Sequence, residues 1–130
     1  MTVRVAGSRD IALSEMNLRG ISINDATNGS ATINISASDS GIIFINKFAT
    51  NTTYNLPAVA DGAGKMFWFF DGQATNTSAI TSPTASTLVS VNSATNTTVT
   101  SSAGAGQCGI IIGDGSYYYF FEIIGTWACT

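Results

Sequence analysis

Apolar and polar residues alternate in short runs along most of the chain after Ser30. In residues 31–36 (ATINIS), Ile33 and Ile35 fall on one side and polar residues on the other, which is the pattern of a half-buried β-strand. Eight or nine such runs follow one another, separated by Gly, Asp, Ser and Pro residues that favour turns. The predicted strands are 31–36, 42–46, 52–56, 65–70, 79–81, 86–92, 97–100, 108–112 and 117–124.

This pattern predicts an all-β fold, because short strands with almost no helical periodicity are typical of an antiparallel β-sandwich or jelly-roll-like domain. The Asp114–Gly115 pair between the last two runs indicates a hairpin. A chain of 130 residues fits one domain with a single core.

The first 28 residues differ from the rest of the chain. They contain three of the five cations, and residues 11–18 have a helix-like spacing that is too short to form a stable helix alone. We therefore predict an N-terminal arm over residues 1–28 that lies on a neighbouring subunit or a larger assembly, followed by a single β domain over 29–130. The alternative is that this segment supplies an ordinary first strand of the domain.

The predicted strands at 65–70 and 117–124 are apolar on both sides, although a sandwich strand normally exposes one side to water. A domain of this size buries only about two-thirds of its unfolded surface. One apolar side is therefore expected to pack against another copy, with a homotrimer as the predicted assembly; the alternative is that long loops or the arm cover it. The predicted interface residues are Trp68, Phe70, Tyr118, Phe120 and Glu122.

The composition argues against catalysis, metal binding and nucleic-acid binding. Only 10% of the residues are charged, the net charge is −3 and there is no histidine, so the commonest general base and metal ligand is missing. Five scattered cations do not form a track for nucleic acid. We predict no enzyme, no catalytic residue, no metal and no cofactor. Glu122 is expected to form a hydrogen bond or salt bridge at a strand edge or subunit contact, with Lys47, Lys65 or an arm arginine as its partner.

Two further features bear on the compartment. Cys108 and Cys129 are too few for a disulfide scaffold and lack zinc-site spacing, which leaves two buried thiols or one bridge as alternatives. The N-terminus lacks the apolar stretch of a secretory signal, and no apolar run approaches the length of a membrane span. We expect a protein made in the cytoplasm without a membrane partner.

Several motifs occur in an order that resembles small virion proteins of tailed bacteriophages. Residues 38–46 (SDSGIIFIN), 53–58 (TYNLPA) and 62–70 (GAGKMFWFF) are similar to a DSG turn, a TLPA strand end and a G.G..F.F strand in those proteins. The late segments 113–117 (GDGSY) and 125–127 (GTW) are similar to their closing hairpin and Gly-x-Trp end. The resemblance covers residues 38–130 and carries over no ligand residues.

The resemblance implies a capsid decoration (cement) protein or a domain of a tail appendage. In the first case the protein belongs to the virion, and its partners are the major capsid protein and its own copies. In the second, a tail fibre, tail appendage or head fibre binds host-surface glycans through exposed aromatic residues. The residues expected to contact the capsid or a neighbouring subunit are Val3, Arg4, Val5, Arg9, Ile11, Leu13, Met16, Leu18 and Arg19.

Overall fold

The structure is a computed structural model that describes residues 18–90 and 93–130. Within them the chain forms β-strands and two single 3-10 turns, Ala37–Asp39 and Val59–Gly62. The strands are β1 (Gly20–Asn24), β2 (Thr32–Asn34), β3 (Ile42–Asn46), β4 (Thr52–Asn55), β5 (Met66–Asp71), β6 (Ser78–Thr81), β7 (Leu88–Ser90), β8 (Ser93–Asn96), β9 (Thr98–Ser101), β10 (Gln107–Gly113), β11 (Tyr118–Ile124) and β12 (Trp127–Cys129).

The strands form two sheets that pack together, which confirms the predicted all-β fold and is consistent with a β-sandwich. The larger sheet has seven strands in the order β1-β3-β5-β10-β11-β7-β8, and the smaller has five in the order β12-β9-β6-β4-β2. Jelly-roll connectivity is not confirmed.

The first half of the chain passes from one sheet to the other with every strand. β1, β3 and β5 pair in parallel in the larger sheet, and β2, β4 and β6 pair in parallel in the smaller one. The prediction of antiparallel pairing is wrong for these strands. Parallel neighbours need a long crossover connection, and here each connection contains a strand of the opposite sheet. The first half is therefore a coil in which each turn adds one strand to each sheet.

The second half supplies the antiparallel pairs, although β7 pairs in parallel with β11. β10 runs antiparallel to both β5 and β11, and β9 runs antiparallel to both β6 and β12. The predicted hairpin joins β10 to β11: Asp114 Oδ1 accepts hydrogen bonds from the amides of Ser116 and Tyr117, both at 2.7 Å, and Gly115 adopts a φ of +93°.

Large side chains from both sheets form the core between them. Phe44 and Phe69 of the larger sheet meet Tyr54 of the smaller one, with ring centroids 5.4 to 5.7 Å apart. A second contact joins Phe120 and Trp127, whose ring centroids are 4.9 Å apart. The remaining buried apolar residues are Ile35, Leu56, Phe67, Ile80, Leu88, Val99, Ile111 and Tyr118.

The described part of the predicted arm belongs to the larger sheet. β1 pairs with β3, so residues 20–24 match the alternative of a first strand, and the predicted arm boundary at residue 28 is corrected for this segment. The reason is local: Ile21 and Ile23 alternate with polar residues as strand residues do. Residues 1–17 lie outside the described part of the chain.

Candidate functional site

The outward side of the larger sheet, here called the outer face, is a continuous apolar surface. Cα pairing across β1, β3, β5, β10 and β11 aligns its side chains in two rows, neither of which contains a buried residue. The first row is Ile21, Ile43, Trp68, Ile110 and Phe121, and the second is Ile23, Ile45, Phe70, Cys108 and Ile124.

Several members of these rows are strongly exposed. Ile21 is 61% exposed, Ile124 58% and Phe121 48%, although all three are large apolar side chains. A third, shorter row of Met66, Ile112 and Tyr119 continues the surface toward the hairpin. Single exposed apolar residues are ordinary, but a contiguous patch marks a surface that binds something. The outer face is therefore the candidate functional site.

Two of the predicted interface aromatics lie on this surface and two do not. Trp68 and Phe70 belong to the outer face, and Glu122 is exposed at the end of β11. Tyr118 and Phe120 are buried in the core, at 0% and 2% exposure, so their assignment to the interface is wrong. The outward aromatics of β11 are Tyr119 and Phe121, on the opposite side of the same strand.

Two glycines explain which side of β11 faces the core. A Cβ at Gly109 would come within 2.3 Å of the Phe120 ring, and a Cβ at Gly62 would come within 2.4 Å of the Tyr118 hydroxyl. Both rings therefore occupy space that side chains at these positions would fill. The Tyr118 hydroxyl also donates a hydrogen bond of 2.8 Å to the carbonyl oxygen of Pro57. Gly109 of β10 and Gly62 of the second 3-10 turn therefore mark the side of β11 that faces the core.

A groove of about 550 Å³ lies at one end of the outer face. Its apolar wall consists of Ile23, Ile45 and Phe70, the last outward residues of three adjacent parallel strands. Gly72, Ala105 and Gly106 complete the lining, and Lys47 is its charged member. Sequence reasoning missed this groove because loops distant in the chain form part of it.

Directly behind the groove, the same three strands place polar residues inside the protein. Asn24, Asn46 and Asp71 are aligned by the strand pairing and are at most 3% exposed. We call these three residues the polar ladder. Thr52, Ser78 and Ser101 of the smaller sheet face it across the core and are also buried.

Hydrogen bonds satisfy the polar ladder. Asn24 Nδ2 donates to Asn46 Oδ1 at 3.2 Å, and Asn46 Nδ2 donates to Ser78 Oγ at 2.9 Å. Asp71 accepts from the Ser101 hydroxyl at 2.6 Å and from the amide of Gln73 at 3.0 Å. A one-residue slip of any strand would turn its amide or carboxylate outward. The ladder therefore fixes the register that aligns the groove wall.

Two tyrosines of the core have raised pKa values. Burial, and secondarily the negative charge of Asp71, raises the pKa of Tyr54, whose hydroxyl has no hydrogen-bond partner in the described structure. Burial, and secondarily the charge of Asp61, raises the pKa of Tyr118 to about 12. At the hairpin, the hydrogen bond from the Tyr119 hydroxyl, followed by those from the amides of Tyr117 and Ser116, lowers the pKa of the Asp114 carboxyl.

Neither cysteine is bridged. Cys108 lies on the outer face and Cys129 on the smaller sheet, where its Sγ is 2.9 Å from the Ser90 hydroxyl. Both thiols are half-buried, and burial raises the pKa of Cys108. Across residues 18–90 and 93–130, no cluster of three or more His, Cys, Asp or Glu residues could hold a metal ion.

Two of the predicted arm contacts can be placed. Leu18 is exposed, whereas Arg19 is held by its own domain: its guanidinium donates to the carbonyl oxygens of Ser38 and Ser40, at 3.1 and 2.9 Å. Val3, Arg4, Val5, Arg9, Ile11, Leu13 and Met16 lie outside the described residues. No helix in the described part of the chain is long and apolar enough to span a membrane.

Comparison with known proteins gives no family assignment. No family model matches the chain, and no curated protein matches it.

Proposed function

We propose that this protein is a non-enzymatic virion structural protein, a capsid decoration protein that binds the outer surface of the expanded phage head as a homo-oligomer and stabilises it. The observation that supports an assembly role is the apolar outer face. The class of assembly comes from the resemblance of residues 38–130 to small phage virion proteins. The major capsid protein is the partner that this role requires.

The size of the outer face favours burial against protein. With strands about 4.8 Å apart and rows about 6.8 Å apart, its three rows cover about 400 Å². This falls within the range of functional apolar patches on monomers, and below the roughly 800 Å² per partner of a standard stable interface. Additional surface is therefore needed for tight assembly, and the N-terminal residues 1–17 are the segment that we expect to supply it.

The low charge also suits dense packing of many copies. Serine, threonine and asparagine make up about a third of the chain and supply a polar surface without charge. Neighbouring copies with few charges repel one another weakly. The absence of histidine removes the side chain whose unperturbed charge changes near neutral pH.

Binding to empty expanded heads tests the proposal. The purified protein should bind at a fixed ratio to the capsid subunits and raise the melting temperature of the heads, because a ligand that binds only the assembled shell stabilises it. A variant lacking residues 1–17 should bind more weakly while its β domain stays folded by circular dichroism. Failure of the full-length protein to bind would overturn the proposal.

The alternative, a tail fibre, tail appendage or head fibre that binds host glycans, is favoured by one observation. Tyr117, 39% exposed, lies at the β10–β11 hairpin beside Asp114, and an exposed aromatic ring next to a polar group is suited to stacking on a sugar. A glycan array separates the two functions: binding to a glycan without binding to heads would support the alternative.

A further inference from the structure

We propose that the groove of one copy receives the end of β11 from the next copy, and that Lys47 at the groove pairs with Glu122 of that neighbour. This inference rests on the homo-oligomer in the proposed function and names the surfaces that form it. The groove lies on the β1-β3-β5 half of the outer face and the end of β11 lies at the edge of the other half, so each copy would offer one surface to each of two neighbours.

The groove is suited to apolar side chains. Ile23 is 50% exposed and Phe70 38% exposed, so both side chains have area left to bury. Its volume of about 550 Å³ is within the range of pockets that hold drug-sized molecules, and it can therefore accept more than one side chain. Lys47 makes its lining cationic on one side. A fitting partner combines adjacent apolar residues with a carboxylate.

The end of β11 has that combination. Phe121, Glu122, Ile123 and Ile124 are four consecutive exposed residues, and both isoleucines are about half exposed or more, at 47% and 58%. Phe121 and Ile124 belong to the outer face, whereas Glu122 is aligned with Gly109 on the other side of β11, beyond the part of this strand that β7 covers at Tyr118 and Tyr119. Glu122 is the one acidic residue of this strand.

Lys47 and Glu122 can pair only between two copies of the chain. β3 and β11 are separated by β5 and β10, which places them about 14 Å apart at the usual strand spacing. Lys47 follows β3, and Glu122 lies on β11, so the two side chains do not meet within one chain. Within the described residues, both side chains are exposed and neither takes part in a side-chain hydrogen bond or ion pair. A neighbour can therefore supply the missing partner to both.

The contact is head-to-tail, because one half of the face binds the other half of the next copy. Such contacts either close into a ring or continue as a filament. The homotrimer predicted from the sequence would be a closed ring of this kind, in which the β1-β3-β5 half of each face meets the β10-β11 half of the next copy. This arrangement buries the apolar rows on all three copies.

Charge reversal tests the pairing. We expect Lys47→Glu and Glu122→Lys each to raise the dissociation constant of the trimer at least about tenfold, because each places like charges together at the contact. The double variant should recover most of the affinity. Lys65→Glu, which makes the same charge change at the opposite end of β5, is the matched control and should leave the trimer intact. Sedimentation velocity over a concentration series measures the mass, and circular dichroism verifies folding.

A second measurement identifies the contact directly. A mixture of ¹⁴N- and ¹⁵N-labelled protein is treated with a carbodiimide, which activates the Glu122 carboxylate so that the Lys47 amine forms an amide with loss of the activating group as a urea. Mass spectrometry should find the 47–122 cross-link between differently labelled chains.

Three outcomes would overturn the inference: a wild-type mass other than three copies, reversal variants that associate like the control, or a double variant that is as weak as the single ones. Head binding separates this failure from that of the proposed function. If the charge-reversal variants still form trimers and still bind heads, the proposed decoration role is retained and the proposed groove contact is rejected.

Discussion

The two sides of the seven-stranded sheet have similar hydrophobicity and opposite environments. Phe69 points into the core and is 1% exposed, whereas Phe121, two strands away, is 48% exposed on the outer face. Hydrophobicity does not distinguish these two phenylalanines. They differ in what covers them: the smaller sheet covers the inner side of the larger sheet, and no part of the described chain covers the outer rows to the same extent. The inner side therefore supplies stability, and the outer side is available for assembly.

Replacing matched aromatics should separate these roles most clearly. Phe69→Ala is expected to lower the free energy of unfolding by about 3 to 5 kcal/mol, because it removes a ring that packs on Phe44 and Tyr54 and leaves a cavity. Phe121→Ala should change it by less than about 1 kcal/mol. Urea denaturation of both variants as monomers measures the difference, and equal losses would contradict the distinction.

The polar ladder gives the next largest expected effect. Asn46→Ala should lower the free energy of unfolding by about 3 kcal/mol, because it removes hydrogen bonds to Asn24 and Thr52 and leaves the buried Ser78 hydroxyl without a partner. Asn55→Ala is the control, since Asn55 makes a single exposed side-chain hydrogen bond to Asn34 and should cost less than about 0.5 kcal/mol. Similar losses from urea denaturation would show that the ladder does not stabilise the inner side.

Alkaline pH should lower the free energy of unfolding through the two core tyrosines. In the unfolded chain, tyrosines lose their proton near the ordinary pKa of 10, whereas Tyr118 in the folded protein keeps it until pH 12 or so. The free energy of unfolding should therefore fall as the pH rises from 10 to 12, and the stability contributed by this tyrosine is fully present below pH 10. Tyr54, whose pKa is also raised, adds to the same trend.

Denaturation at several pH values checks this expectation. In Tyr118→Phe the decline between pH 10 and 12 should be shallower than in the wild type, although the variant loses a hydrogen bond to Pro57 and starts from a lower stability. Tyr117→Phe, which removes an exposed phenol, is the matched control. An unchanged slope in the Tyr118 variant would contradict the assignment.

The smallest effect on folding should come from the outer face itself. Ile21→Ser is expected to change the free energy of unfolding by less than about 1 kcal/mol, because Ile21 lies on an edge strand and is 61% exposed. The same variant should bind less of a dye that fluoresces on apolar surfaces. A loss of stability comparable with that of Phe69→Ala would show that the outer rows belong to the core.

Sequence reasoning located most strands, because alternation and turn residues are local signals. The same signals do not predict which strands pair with each other. Parallel pairing of β1, β3 and β5 depends on contacts between residues a full turn apart, and no local pattern encodes it. A repeat was nevertheless present: the strands end in Ile-Asn, Ile-Asn and Phe-Asp, at 23–24, 45–46 and 70–71. These pairs place an apolar residue outward and a polar one in the ladder.

The sequence predicted that the candidate site is an exposed apolar surface, but it identified only some of the residues that form it. An apolar side of the aromatic strands does remain exposed, as expected from a short chain with too much apolar surface. For β11 the side was wrong, because alternation divides residues into two sets without saying which set faces the core. Gly109 and Gly62 carried that information, since large rings fold over positions that lack a Cβ.

The coil in the first half of the chain also affects how such a protein can change in size. Because each turn contributes one strand to each sheet, a duplicated turn ending in an apolar-Asn pair would widen both sheets, add a rung to the ladder and lengthen the groove wall by one residue. The β10–β11 hairpin would not have to change. The contact area could then grow or shrink by whole turns during evolution, while the hairpin and the core beneath it keep their structure.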